Sequence, residues 1–221
     1  MKYLKYPKNK YIGSIKVFEE MMDYLYKNDY KTINIGEFYR WYKGEIEYYG
    51  KTLMIAFDDG NYEDYYLAYP IIKKYNFKAT SFIVGSRINK TTSLYNKNII
   101  NYIGLDIINK LRKEYPNFEF QSHTYNMHVK INETAKILLM NKKEIEKDFE
   151  MNNQFNFSSL AYPYGAYNKI IKNILNKNKN YSVAFSYGNN KYASRKCDIY
   201  SIPRIEISGE DNLKYLIKWL I

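Results

Sequence analysis

Apolar residues recur at helical spacing over residues 15–26, where Ile15, Phe18, Met21, Met22 and Leu25 share one face and Ser14 stands where an N-cap belongs. The pattern then changes period. Residues 32–35 read as a short strand and 37–42 as a helix. Residues 52–57 read as a strand apolar on both faces, which suits a parallel strand covered by helices on each side. The alternation continues with a helix at 65–75, a strand at 79–84, a helix at 99–111 and a strand at 118–121. One long helix follows at 134–149, then a strand at 157–161, a helix at 168–175, strands at 182–185 and 199–207, and a closing helix at 213–220. Strands alternating with helices imply an α/β fold with a largely parallel sheet, open or closed into a barrel. No internal repeat and no Gly-, Ser- or Pro-rich linker interrupts it, so a single domain over residues 1–221 is expected.

Composition narrows the class without naming a function. Hydrophobic residues make up 46% and aromatics 18%, which excludes a disordered chain despite the heavy use of Lys and Asn. The formal net charge of +11 is compatible with nucleic acid, an anionic cell surface or simple solubility. Lysines are scattered, and the densest stretches, Lys142-Lys143 and the run from Lys172, are broken by Asn, Leu and acidic residues. No compact basic motif results, and a nucleic-acid partner is not expected. The lone Cys197 has no internal partner for a disulfide and no activating neighbour in sequence. Residues 1–7 lack the apolar core of a signal peptide, and no apolar run is long enough to span a bilayer. Either the protein stays inside the cell from Met1, or the start of an exported protein is missing.

The candidate chemistry sits after strands, where active sites of parallel α/β folds gather. The apolar strand at 52–57 runs into Asp58-Asp59-Gly60, two like charges that need something to offset them. In the turn opened by Gly60 both can reach one site, one as cation ligand and the other as free base. Both histidines of the chain, His123 and His128, lie five residues apart in Ser122-His123-Thr124-Tyr125-Asn126-Met127-His128. That spacing does not share a helix face, but a loop folding back brings the rings together. Two imidazoles and a carboxylate leave coordination positions open for water and substrate, as hydrolytic metal sites require. Tyr162-Pro163-Tyr164-Gly165 is a rigid turn after a third strand and can aim a backbone N–H at an oxyanion.

Together and in this order, Ile55-Ala56-Phe57-Asp58-Asp59-Gly60, the two-His run and Ala161-Tyr162-Pro163-Tyr164-Gly165 resemble three motifs of polysaccharide deacetylases with a NodB homology domain, carbohydrate esterase family four. The resemblance covers residues 15–207, and the closing Ile202-Pro203-Arg204-Ile205 is similar to the branch acting on poly-N-acetylglucosamine and related envelope polymers. It implies a distorted (β/α) barrel that removes N-acetyl groups from N-acetylhexosamine polymers or oligomers. It also implies an envelope or extracellular location and an N-acetylated glycan as partner; oligomeric state stays open. Carried over by position, Asp59, His123 and His128 match the ligands of a divalent metal, usually zinc, with other transition metals open. Asp58 matches the general base, and the N–H of Tyr164 the oxyanion donor.

Three departures from that family pattern have consequences. The family's further His, which protonates the leaving amine, has no counterpart, leaving Asp58 as base and then acid, or Tyr62, Glu63 or Glu206 as weaker substitutes. Ala161 stands where many members carry the arginine that orients the base, and Arg204 is the candidate to replace it. The chain also begins after the first barrel strand expected in this branch, so the barrel is expected to lack that strand. These departures keep a second reading open: a catalytically impaired deacetylase-like domain that binds glycan or metal without turnover.

Overall fold

The computed structural model describes residues 14–93, 100–178, 180–187 and 192–220. Helix α1 (Ile15–Lys27) buries Met21, Met22 and Leu25, the stripe that the periodicity marks, and Ser14 accepts the Phe18 N–H through its backbone carbonyl rather than its side chain. The strand expected at 32–35 is cut to β1 (Lys31–Thr32) because Asn34 starts a helix. Its side chain accepts the Glu37 N–H while Glu37 accepts the Asn34 N–H, a capping box that opens α2 (Ile35–Tyr42). Strand β2 (Thr52–Leu53) pairs in parallel with β1 and runs on into β3 (Ile55–Asp59).

The segment after β3 begins as a π-helical turn, Asp64–Ala68, and continues as α3 (Tyr69–Lys74). Pro70 lacks the N–H that an uninterrupted α-helix from residue 65 would use, so the bonding pattern changes at this point. Then come β4 (Ala79–Ile83), α4 (Leu105–Glu114) and β5 (Phe118–Ser122). The start of the helix expected at 99–111 lies partly outside the described residues.

The single long helix expected at 134–149 is not formed. A short antiparallel hairpin, β6 (Lys130–Ile131) with β7 (Thr134–Ala135), leads into α5 (Lys136–Leu139), and Met140 is extended at ψ 145°. Asn141 and Glu144 then form a second capping box that starts α6 (Lys142–Met151). An Asn that reads as helix interior in sequence therefore acts as a cap. Strands β8 (Ser159–Ala161), β9 (Val183–Tyr187) and β10 (Ile202–Arg204) complete the sheet, with α7 (Lys169–Lys177) between β8 and β9 and α8 (Leu213–Leu220) last. The strand expected over 199–207 contracts to three residues.

Six strands form one parallel sheet in the order β10-β9-β8-β5-β4-β3. Register puts Asp58, Phe82 and Gln121 side by side on one face, and Ala161, Phe185 and Ile202 on the same face further along. There they pack with Ile33, Ile35 and Phe38 of the α2 segment. The opposite face carries the larger core, in which Ile83, Phe118, Phe120 and Leu160 meet α1, α3, α4, α6 and α7. The outermost strands, β3 and β10, are joined by Arg204 donating to both oxygens of Asp58 at 2.8 Å, so the sheet curls into a half-barrel. Among the described residues no helix is long and apolar enough to cross a membrane.

Candidate metal centre and its acid–base neighbour

Three of the segments that carry functional side chains leave the carboxyl end of a strand through a strained turn. Asp59 closes β3 at φ 77°, Thr124 follows His123 at φ 67°, and Tyr164 stands at φ 58° in the Pro163-Tyr164-Gly165 turn after β8. Non-glycine residues rarely take positive φ, and three of them meet at one end of this sheet. Gly60 at φ 71° continues the turn, and a Cβ there would lie 2.6 Å from Ile83 Cγ2, so the close pass over β4 requires glycine.

The reversal at Asp59 separates two adjacent carboxylates. Asp58 keeps its strand direction and faces the inside of the half-barrel, where the guanidinium of Arg204 grips it bidentately. Burial pushes the Asp58 carboxyl up, but the charges of Arg204 and then His123, with the Arg204 hydrogen bonds, outweigh it and leave it at about 2. The guanidinium also lies over the Phe82 ring, 5.3 Å from its centroid.

Asp59 turns toward the imidazoles instead. Its Oδ1 lies 3.1 Å from His128 Nε2, and Asp59, His123 and His128 each offer one donor atom within 4.8 Å of the others. His123 is buried, and its Nδ1 donates to the Ala161 carbonyl at 2.8 Å, which leaves the Nε2 lone pair for a cation. Burial, and then the charge of His123, hold the His128 imidazole down at about 4, so it is neutral around pH 7. The two rings lie 4.7 Å apart, and Tyr164 stacks on His128 at the same centroid distance. Two imidazole nitrogens and one carboxylate oxygen form a donor set that fits a divalent transition metal.

Asp58, Asp59, His123, His128, Tyr164 and Arg204, chosen from sequence, meet in this one region. The substitute acids are less well placed: Glu206 is exposed past β10 and Glu63 caps the π-helical turn, neither bonded to the carboxylates or the imidazoles. Tyr62 follows the Asp59–Gly60 turn and stacks on Tyr66.

Sequence reasoning missed Arg87, which ends the Gly85–Arg87 turn after β4. Its Nη1 is 3.4 Å from Asp59 Oδ1, and its guanidinium sits 4.7 Å from the Tyr102 ring centroid. Its signal was available, since Gly-Ser-Arg follows a buried strand just as the other three motifs do. The second omission is Asp148, whose carboxylate accepts the backbone N–H groups of Tyr125 and Asn126, both at 2.7 Å.

Comparison with known proteins agrees with this geometry. Residues 46–183 match the polysaccharide deacetylase family. A poly-β-1,6-N-acetyl-D-glucosamine N-deacetylase of Staphylococcus aureus (strain MRSA252) is 30% identical over 223 residues, covering 94% of this chain and 71% of its own. Among solved structures, that of IcaB from Ammonifex degensii superposes with a TM-score of 0.79 at 19% identity, covering 97% of this chain and 92% of its own. The Streptococcus pyogenes deacetylase PplD in complex with acetate gives 0.75 at 22% identity, over 99% of this chain and 94% of its own.

Proposed function

The chain belongs to the polysaccharide deacetylase family, and from that premise we propose that it is, as a single catalytic domain, a divalent-cation-dependent hydrolase. Its substrate is an N-acetylhexosamine polymer or oligomer, with β-1,6-linked N-acetylglucosamine the first chain to test because the curated relative is named for it. The observation that carries the reading is the donor triangle of Asp59, His123 and His128 beside a separately held Asp58.

Asp59, His123 and His128 would hold the cation. Bound there, it would supply the charge that makes a water acidic near neutral pH and polarises the acetamide carbonyl. Asp58 accepts the proton of the attacking water, its carboxylate aimed by the Arg204 fork. The Tyr164 N–H donates to the oxygen that becomes negative as the carbonyl turns tetrahedral. Collapse breaks the C–N bond, and Asp58 returns its proton to the departing nitrogen. Acetate and a free amine result. Arg204 keeps Asp58 ionised across the physiological range, although a carboxyl held at about 2 is a weak base.

That weakness, with no third His to protonate the amine, favours the competing reading of a glycan-binding domain without turnover. One measurement separates the two: acetate release from β-1,6-linked N-acetylglucosamine oligomers, with and without a chelator. Release that stops on chelation and returns with added cation supports the enzyme. Glycan binding with no release across several cations supports the alternative, and release indifferent to chelation rules out cation dependence.

A further inference from the structure

The two imidazoles sit on a loop that bonds partly to itself, the Thr124 N–H to Ser122 Oγ and the Met127 N–H to Thr124 Oγ1, while its Tyr125 and Asn126 amides and the carbonyls of residues 124–126 are answered from other elements. The carbonyls of Thr124 and Tyr125 accept from the N–H groups of Gly85 and Ser86, at 3.0 and 2.8 Å, in the turn after β4. The Asn126 carbonyl accepts from Lys136 Nζ at 3.0 Å. On the other side, the N–H groups of Tyr125 and Asn126 point together at one carboxylate, Asp148 of α6, with one oxygen each at 2.7 Å. Successive N–H groups after a residue at positive φ form a concavity that binds anions. In this loop the anion is a side chain of the protein itself.

Asp148 is 7% exposed, and among the described residues its hydrogen bonds are those two alone and it forms no ion pair. Two amide donors and the nearby charge of Lys136 only partly offset the burial, which still pushes the Asp148 carboxyl up, so holding it there is costly. Four residues on, at the C-cap of α6, buried Asn152 donates to Ser122 Oγ at 2.9 Å, and Ser122 Oγ accepts the Thr124 N–H at 3.1 Å. Helix α6 and its C-cap thus grip the loop on both sides of His123. The fit is tight: a Cβ on Gly85 would fall 2.1 Å from Asn152 Oδ1.

We infer that Asp148 is a positioning residue for the metal centre: through the Tyr125 and Asn126 amides it sets the loop that brings His123 and His128 to bear on one cation. The inference rests on the cation-dependent reading above and concerns a residue that touches neither cation nor substrate. Its consequence is specific. Asp148→Asn keeps the shape but turns an NH2 group toward one of the two amides, so that half of the brace is lost.

The test is Zn2+ affinity of the folded protein, measured by competition with a chromophoric chelator, for wild type, Asp148→Asn and Ile145→Val. Ile145 lies on the same buried face of α6 and contributes packing only. Asp148→Asn should weaken Zn2+ binding about 10- to 100-fold, the range for groups that orient metal ligands. Its kcat should fall while KM stays within twofold, and Ile145→Val should bind as wild type does. Equal Zn2+ affinity in Asp148→Asn and wild type overturns the inference, as does equal weakening in Ile145→Val, which would mark a merely structural role. Should Asp148→Asn fail to fold, Asp148→Glu takes its place: the longer side chain keeps the charge but shifts both oxygens from the Tyr125 and Asn126 amides, a several-fold weakening is expected, and unchanged affinity there is again fatal. A wild-type protein that takes up no Zn2+ overturns this inference and the cation-dependent reading together; one that binds Zn2+ without releasing acetate leaves the Asp148 comparison decisive.

Discussion

At the end of β3 two consecutive aspartates enter two different regions. Asp58 faces the seam where the sheet's edge strands meet, and an arginine from the far edge holds both of its oxygens. Asp59, after a change in the sign of φ, faces the histidine loop, and its nearest partners are a neutral imidazole at 3.1 Å and the longer contact of Arg87. The seam neutralises a charge completely, whereas the loop side leaves lone pairs converging on one point. A strand end with one strained residue is thus enough to place a held carboxylate beside a ligand carboxylate without the two repelling each other into solvent. If this division is right, damage on the loop side removes cation binding, and damage at the seam spares it.

The largest effect is expected from Asp59→Ala. Removing the only carboxylate of the donor set leaves two imidazoles, so Zn2+ uptake by elemental analysis and acetate release should both fall to background while the far-ultraviolet circular dichroism is retained. Asp58→Asn comes next and should behave differently. Cation content stays at the wild-type level, and kcat falls by about 10²- to 10⁴-fold, as for the loss of a general base. Loss of cation in Asp58→Asn would erase the distinction between the two sides.

Arg204→Met attacks the seam from its other half. With the guanidinium gone, burial is left to push the Asp58 carboxyl up from about 2 toward and past the ordinary carboxylate range. Activity should then acquire an acid limb that wild type lacks between pH 4 and 7, read from kcat against pH. The stability effect has a definite sign. Because the folded pKa of Asp58 is depressed, the pair stabilises the fold above the unfolded value near 4, and that contribution fades as pH falls toward 2. Breaking a largely buried pair by removing one partner costs on the order of 3 kcal/mol, so denaturant midpoints of wild type and variant should differ at pH 7 and converge toward pH 2.

The parts of the molecule that could be read in sequence are those where one local signal sufficed. Strand β4 is buried on both faces, β3 is apolar up to its two aspartates and β5 alternates Phe with polar residues, and the ends of these strands carry chemistry because that is where a parallel sheet opens. The helix break at Met140–Asn141 was hidden because Asn141 reads as a polar helical position until its bond to Glu144 is seen. The strand at β10 shrank because a β-rich run of residues does not disclose how many of them find a partner strand. Arg204, named from its family-like segment, reaches Asp58 only because the sheet curls, whereas Arg87 comes from the turn after β4, the strand paired directly with β3. Asp148 and Asn152 left a fainter trace: two polar residues among Ile145 and Phe149 on a face that should be wholly apolar.

Asp64 offers the smallest and most discriminating comparison, because it is a third carboxylate near the same strand end, more deeply buried than the half-buried Asp58 and Asp59, and among the described residues it forms no ion pair. It begins the π-helical turn on the outer side of β3, and its hydrogen-bond partner is the Ser81 hydroxyl, which donates to Oδ2 at 2.9 Å. Burial raises its carboxyl well above the ordinary value; the Ser81 bond opposes this, and the charges of Glu63, Asp59 and Asp58 add to it. The sign is therefore opposite to that of Asp58. The folded state holds the Asp64 proton more tightly than the unfolded chain does, so the stability this gives is complete below about pH 4 and is lost as pH rises through the folded value. Asp64→Asn cannot titrate, yet its amide oxygen still accepts from Ser81. Its denaturation midpoint should match or exceed that of wild type at pH 7.5, with the advantage shrinking at pH 4.5 and Zn2+ affinity unchanged. A variant less stable at pH 7.5 than at pH 4.5, relative to wild type, would mean that Asp64 is ionised in the fold and that a cation or donor holds it as Arg204 holds Asp58.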